Sequence, residues 1–213
     1  MCYSFNNKKV DLKKIAEEMD AENYESGYVQ EENVSAFTRP AMPIVLEHNG
    51  RKITHGTWGL YAEIPKDKPA KGLNLTAEKT HTFYKKFEHN RCVVPISGFY
   101  DFQHVAIPGK KTPAKVKHEV LWKGNDHLYL AGFYDVWDNK EIGVGIVTTA
   151  ANELMSIIHN SKLRMPICMD AKMADRFLKD EPIEEFVFPA YDPALVAVNL
   201  EPHKIPPTQT SLF

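Results

Sequence analysis

Apolar and polar positions recur with two different periods along this chain of 213 residues. After a short N-terminal strand, Leu12, Ile15 and Met19 share one face of DLKKIAEEM, which predicts an amphipathic helix over Asp11 to Met19. Val34 to about Ala62 reads as extended, broken at Pro40 and Pro43, and ITHGTWGLYAEIP is β-branched and aromatic. A further helix is predicted to begin near Thr76 and run through TAEKTHTFYKKFEHN, where Phe83 and Phe87 are four apart. RCVVPISGFYDF predicts two buried strands about a turn at Ser97-Gly98. The basic, Pro- and Gly-rich stretch from Gln103 to Lys117 predicts a loop inserted between strands. HEVLWKG, HLYLAGFYDVW and GVGIVTTA predict three more strands. A helix opens at Thr149-Ala-Ala-Asn and runs through Ile158, and DAKMADRFLKD predicts another with Asp170 as its N-cap. With no repeat and no interdomain linker, the pattern predicts one α+β domain over 1–205, strands dominating and helices outside. Residues 206–213 read as a flexible C-terminal tail.

Composition narrows the chemistry. The chain is 43% hydrophobic and 25% charged with net charge −2, so any nucleic-acid contact has to use a local basic stripe rather than a global field. Three cysteines without a CxxC pair argue against a disulfide framework or a structural zinc site. Cys92 and Cys168 lie in apolar runs and read as core residues. The nine histidines form no HxH or HExxH, and no Gly-rich phosphate loop is present, so no metal or cofactor is expected. Neither a signal peptide nor a membrane-spanning run is visible, which makes a cytoplasmic monomer without membrane contact the expectation.

Against this background Cys2 stands out, because it directly follows Met1. Trimming of Met1 leaves an amine and a thiol on adjacent carbons. The amine condenses with an aldehyde to an imine, losing water. The thiol then adds to the imine carbon and closes a five-membered thiazolidine. Reference pKa values of about 7.7–8.0 and 8.5 leave a useful fraction of both nucleophiles near neutrality, and the second step is intramolecular. The plain alternative is an incidental small residue at the start of an ordinary protein.

Four other polar features sit in apolar surroundings. Asn74 lies in GLNLTAEKT, as a ligand-holding amide or a cap and turn residue. Asp101 lies between Tyr100 and Phe102, functional or neutralised by a structural arginine such as Arg39 or Arg164. His159 ends an apolar helix, as a proton carrier or as a histidine stabilised by the helix dipole. Arg39 sits in the proline-rich FTRPAMP.

Taken in order, Cys2, Asn74 in GLNLTAE, RCVVPISGFYDF, TTAAN and IH…RMPI resemble the SRAP proteins, and WGLYAEIP resembles their Trp-Gly-Leu-x-Pro segment. That family, first called SOS response-associated peptidases, is understood as abasic-site processing proteins. The resemblance spans Cys2 to about Ile167. It implies a mixed, mostly antiparallel, barrel-like core with peripheral helices. It also implies covalent trapping of abasic sites in single-stranded DNA as a thiazolidine, with possible lyase and self-processing activity. Carried over by position, Cys2 supplies both nucleophiles and Asn74 hydrogen-bonds the terminus or the opened sugar. Asp101 stands where the family has a glutamate, and His159 moves protons.

Three departures accompany the resemblance. Asp101 is shorter than glutamate by one C–C bond, about 1.5 Å. Thr76 and Ser4 stand where the family often has arginines. The spacing from His159 to Arg164 exceeds the common His-x-Arg-Met-Pro, so a bulge must absorb Asn160 to Leu163. Phosphate contacts would then come from Arg39, Arg164 and the Lys110/Lys111/Lys115/Lys117 loop, which otherwise reads as a solvated hairpin tip. Trp58 is the candidate for stacking on unstacked bases, or else packs in the core. The chain ends Gln209-Thr210-Ser211-Leu212-Phe213, which looks like the bacterial sliding-clamp-binding peptide. There Leu212 and Phe213 would enter an apolar pocket and Gln209 bond at its rim, the alternative being a tail packed on its own domain. Two rival functions remain on the sequence: an N-terminal nucleophile peptidase, and a non-covalent single-stranded DNA or replication-fork binder with Cys2 inert.

Overall fold

The computed structural model describes residues 3–23, 30–61 and 72–205. Cys2 and the tail residues Gln209, Leu212 and Phe213 lie outside the described residues. The strands are β1 (Ser4–Asn6), β2 (Glu22–Asn23), β3 (Val34–Ser35), β4 (Ala41–Glu47), β5 (Arg51–Trp58), β6 (Asn74–Thr76) and β7 (Arg91–Ile96), then β8 (Gly98–Val105), β9 (Ala114–Trp122), β10 (Leu128–Val136), β11 (Ile142–Ala150), β12 (Arg164–Pro166), β13 (Cys168–Met169) and β14 (Leu195–Asn199). The α-helices are α1 (Leu12–Met19), α2 (Glu153–Ile158) and α3 (Ala171–Leu178).

Among the described residues the strands form two sheets. One has the order β14-β9-β8-β1-β3. The other runs β12-β11-β10-β7-β4-β5-β2, and β5 also pairs in parallel with β11, so β11, β10, β7, β4 and β5 close into a ring. Closure removes the free edges that an open sheet leaves. Gly56 sits beside this closure, where a Cβ would lie 2.5 Å from Val144 Cγ2.

Period-2 alternation sorts the ring residues between two cores. Ile44, Leu46, Val94, Leu130 and Ile146 join Phe5, Phe99 and Val120 of the other sheet in one cluster. Val45, Val93, Ala131 and Val147 face the second cluster, which takes Ile15 and Met19 of α1 and Phe177 of α3. Ring strands buried on both faces therefore read as continuous apolar runs. Each helix begins on a side-chain cap: Asp11, Asn152 and Asp170 accept backbone N–H groups of the first turn. No helix among the described residues is long and apolar enough to cross a membrane.

Two expectations need correction. The segment after Thr76 is not an α-helix but two 3-10 turns, Ala77–Lys79 and Lys85–Phe87. Its Thr, His and aromatic residues are weak helix formers, and neither turn has a side-chain cap. Phe87 is buried while Phe83 is 68% exposed, so the four-apart pair shares no face. The proposed Gln103–Lys117 loop shrinks to 106–113, because β8 and β9 extend as a hairpin from Asp101↔His118 to Val105↔Ala114. The strands β7 and β8 do flank Ser97 as expected, but they belong to different sheets.

Candidate active site

The site is built where β8 leaves the cover of β1. Ser4 pairs with Tyr100 and Asn6 with Gly98, so the N-terminal strand lies antiparallel along β8 with its N-terminal end toward Asp101. Alternation turns Phe99 and Asp101 inward, and Asp101 is only 4% exposed. A buried carboxylate needs a partner, and here His159 is one. Asp101 Oδ1 lies 2.7 Å from His159 Nδ1 and also accepts the Phe102 N–H at 2.8 Å.

His159 caps the C-terminus of α2, its N–H donating to Met155 O at 2.7 Å. Its carbonyl accepts Leu163 N–H at 2.9 Å, and Leu163 has φ +54°, so the chain after the histidine folds into a tight turn. Asn160 fixes that turn to the next strand: its Oδ1 accepts His104 N–H at 3.0 Å and its Nδ2 donates to His104 O at 2.9 Å. The longer His-to-Arg spacing is thus absorbed by a side-chain amide that pairs with β8 as a strand would. With Nδ1–H held by the carboxylate, Nε2 is the basic atom of the neutral His159 ring.

Asn74 opens β6, opposite Ile146 on β11. The residue before it, Leu73, has its carbonyl bonded by both Ile146 N–H and the Trp58 indole N–H, each at 3.0 Å. Leu73 and Ile158, the neighbours of Asn74 and His159, and Phe99, two residues before Asp101, share one core cluster with Tyr3 packed against it. The Tyr3 phenol titrates above its ordinary value because it is partly buried and because Asp101 stands near it. Tyr3 is the residue bonded to Cys2.

The other candidates are placed differently. Trp58 is fully buried, stacked on Phe5 with ring centroids 5.1 Å apart, so the core-packing alternative replaces the base-stacking one. Arg164 forms a two-pronged pair with Glu78 at 2.9 Å for each bond and also donates to Thr148 O at 2.6 Å. Burial raises the Glu78 pKa, but its hydrogen bond with Arg164, a backbone hydrogen bond and the Arg164 charge together outweigh this and hold the carboxyl below its usual range. Arg39, in the left-handed region at φ +50°, donates to Tyr61 O at 3.0 Å and lies 5.2 Å from the Trp137 ring centroid. Lys110 and Lys111 are exposed on the 106–113 turn.

Four residues escaped the sequence reading. Phe37 is 70% exposed and stacks on Tyr3 at 5.2 Å and 23°, on a 3-10 turn whose Ala36 N–H bonds Tyr3 O at 2.8 Å. Tyr3 itself and Asn160 make the contacts described above. His118 faces Asp101 across the ladder; its signal was a polar residue in the apolar phase Val116–His118–Val120.

The SRAP family model, described as SOS response associated peptidase, matches residues 1–202. Abasic site processing protein YoqW, from Bacillus subtilis strain 168 and from Bacillus phage SPbeta, is 28% identical over 172 residues, covering 76% of this chain and 69% of its own. Abasic site processing protein YobE of Bacillus subtilis is 27% identical over 137 residues, covering 60% of this chain and 59% of its own. A crystal structure of a protein from Bacteroides thetaiotaomicron superposes with a TM-score of 0.74 at 23% identity, over 93% of this chain and 91% of that one. A second, from Bordetella bronchiseptica, gives 0.70 at 18% identity, over 93% and 99%. These structures share the fold.

Proposed function

This chain belongs to the SRAP family, and from that premise we propose that it captures abasic sites in single-stranded DNA through Cys2. The observation that carries the reading is the buried Asp101–His159 pair, 2.7 Å apart, with Tyr3, the neighbour of Cys2, beside the carboxylate. Relatives named for abasic-site processing support the same substrate.

The chemistry follows from the terminal aminothiol. Once Met1 is removed, the amine of Cys2 attacks C1′ of the ring-opened sugar. His159 Nε2 takes the proton released by nitrogen and returns it to the departing hydroxyl as water forms. The Cys2 sulfur then adds to the imine carbon, its proton passes to nitrogen, and the thiazolidine closes. Asp101 keeps Nδ1 protonated and steadies the imidazolium while it exists. Asn74 holds the opened sugar or the terminus. Reversal by the same proton carriers would give a lyase-like release, and self-removal of Met1 would be the peptidase step.

For the strand itself, Phe37 replaces Trp58 as the stacking surface, and Lys110 and Lys111 are the proposed phosphate contacts, with Arg39 and Arg164 as further candidates. An aromatic face contributes about 1–3 kcal/mol per stacked base. The tail residues Gln209, Leu212 and Phe213 are proposed to bind the bacterial sliding clamp. Deletion of 206–213 should abolish capture on immobilised clamp while leaving crosslinking intact; retained capture would rule out the tail as the binding segment, and no capture of the full chain would remove the clamp from the picture.

The deciding experiment mixes Met1-free protein with a single-stranded oligonucleotide carrying one abasic site, on a denaturing gel beside Cys2→Ala. A heat-stable shifted band absent from the variant is expected. If no band forms with protein confirmed to begin at Cys2, covalent capture is wrong. Salt-sensitive binding that survives Cys2→Ala would then mark a non-covalent binder.

A further inference from the structure

Asp101 has a second imidazole on its β9 side. Asp101 and His118 are direct partners in the antiparallel ladder, which puts their side chains on one face with Cβ atoms about 4.5–5.5 Å apart. Both are buried, Asp101 4% and His118 1% exposed. His118 Nδ1 lies 3.1 Å from Val116 O. A carbonyl oxygen only accepts, so Nδ1 carries the proton, and Nε2 gains one only when the ring becomes a cation. Burial lowers the affinity of His118 for that second proton, with the Val116 bond, Asp101 and Glu201 acting in the opposite direction. Among the described residues, the charged and titratable groups around the pair include Tyr3 and His159 at Asp101, and Glu201 with its partner Lys204 at His118.

We propose that His118 is a positioning residue of this site: a backbone-anchored, neutral imidazole that offers Asp101 no cation on its β9 side, so that the carboxylate's charge acts on His159. A cation at His118 would draw on the same charge and loosen the hold on His159. Val116 fixes the ring in the tautomer that prevents this, and the interior keeps it uncharged. The inference rests on the reading of Asp101 and His159 as the proton-handling pair. It assigns a role to a histidine that the Cys2, Asn74, Asp101 and His159 set leaves out. It also gives the Asp-for-Glu exchange a setting, since the acid is flanked by imidazoles from two different elements.

The test is a histidine-selective ¹⁵N NMR titration of the full-length, Met1-free protein without DNA, with His118→Gln and Asp101→Asn. His118 should show an unprotonated Nε2 at neutral pH, and Asp101→Asn should move its midpoint to lower pH. His159 signals in the wild type should shift again as His118 titrates, a step missing from His118→Gln. An Nε2-protonated neutral tautomer would overturn the proposal. So would a His118 midpoint indifferent to Asp101→Asn. A crosslinking arm separates charge from shape: the loss of rate in His118→Lys should exceed that in His118→Gln by about 100-fold. Equal losses in both would reduce His118 to packing. A wild type that never crosslinks would sink the function proposed for the site, and the titration would still decide the role of His118.

Discussion

Asp101 is one methylene shorter than glutamate, yet its Oδ1 already lies 2.7 Å from His159 Nδ1. The shorter acid reaches its partner in a buried position, so lengthening the side chain adds volume to a filled site. Asp101→Glu is therefore expected to destabilise the protein by about 1–3 kcal/mol, the usual cost of overpacking, without accelerating crosslinking. Thermal unfolding together with single-turnover crosslinking checks both parts, and a faster variant with unchanged Tm would show that the aspartate is a deficiency. At the same scale, the sequence made the acid and the histidine legible because each is a polar residue in an apolar run. It left Trp58 open between stacking and core, and passed over Phe37, for an equally physical reason. Trp58 and Phe37 both adjoin glycine- or proline-containing turns, and residue type alone does not say which side of a strand faces the core. The indole turned out to hold the carbonyl before Asn74, while the smaller ring stands in solvent on Tyr3.

Elements place these residues through a few side-chain bonds to backbone. Helices α1 and α3 were readable from period and caps, because Asp11 and Asp170 precede amphipathic runs that pack on the ring. The segment after Thr76 was not, since its shape is set in part by partners distant in sequence: Glu78 by Arg164, and His81 by Glu184. The turn after His159 was foreseen only as a bulge, and its geometry depends on Asn160 finding His104. Asn160→Ala removes two exposed hydrogen bonds, with a net cost of about 1 kcal/mol. For a chain of this size that corresponds to a fall in Tm of about 2–4 °C. The expected effect on rate is larger, up to about 100-fold, because a displacement of about 1 Å at the proton carrier is costly. Rate and Tm measured on the same preparation test this, and a rate unchanged from wild type would show that α2 alone fixes the histidine.

At the scale of the whole molecule, two histidines pull stability in opposite directions with pH. Exposed His81 bridges the turns after Asn74 to the segment following α3, bonding Glu88 at 2.9 Å and Glu184 at 3.0 Å. Those two bonds, Glu88's first, raise its affinity for a proton. A raised folded-state value means that its contribution is complete below the unfolded value of about 6.5 and is lost as pH rises through the folded value. Because His81 is 61% exposed, solvent screening keeps this to the small scale of surface pairs, below about 1 kcal/mol. Buried His118 has the reverse sign. Burial lowers its folded value, so its contribution is complete above the unfolded value and is lost as pH falls through the folded one. Subtracting Tm-against-pH curves isolates each group. The wild type minus His81→Gln difference should fall from about pH 6 to 8, and the wild type minus His118→Gln difference should rise from about pH 5 to 7. Parallel slopes would mean that one imidazole has been given the wrong charge in the folded state. Opposite slopes would place the outer clasp and the inner site under separate proton control, with His81 fastening the turns after Asn74 while His118 stays neutral beside Asp101.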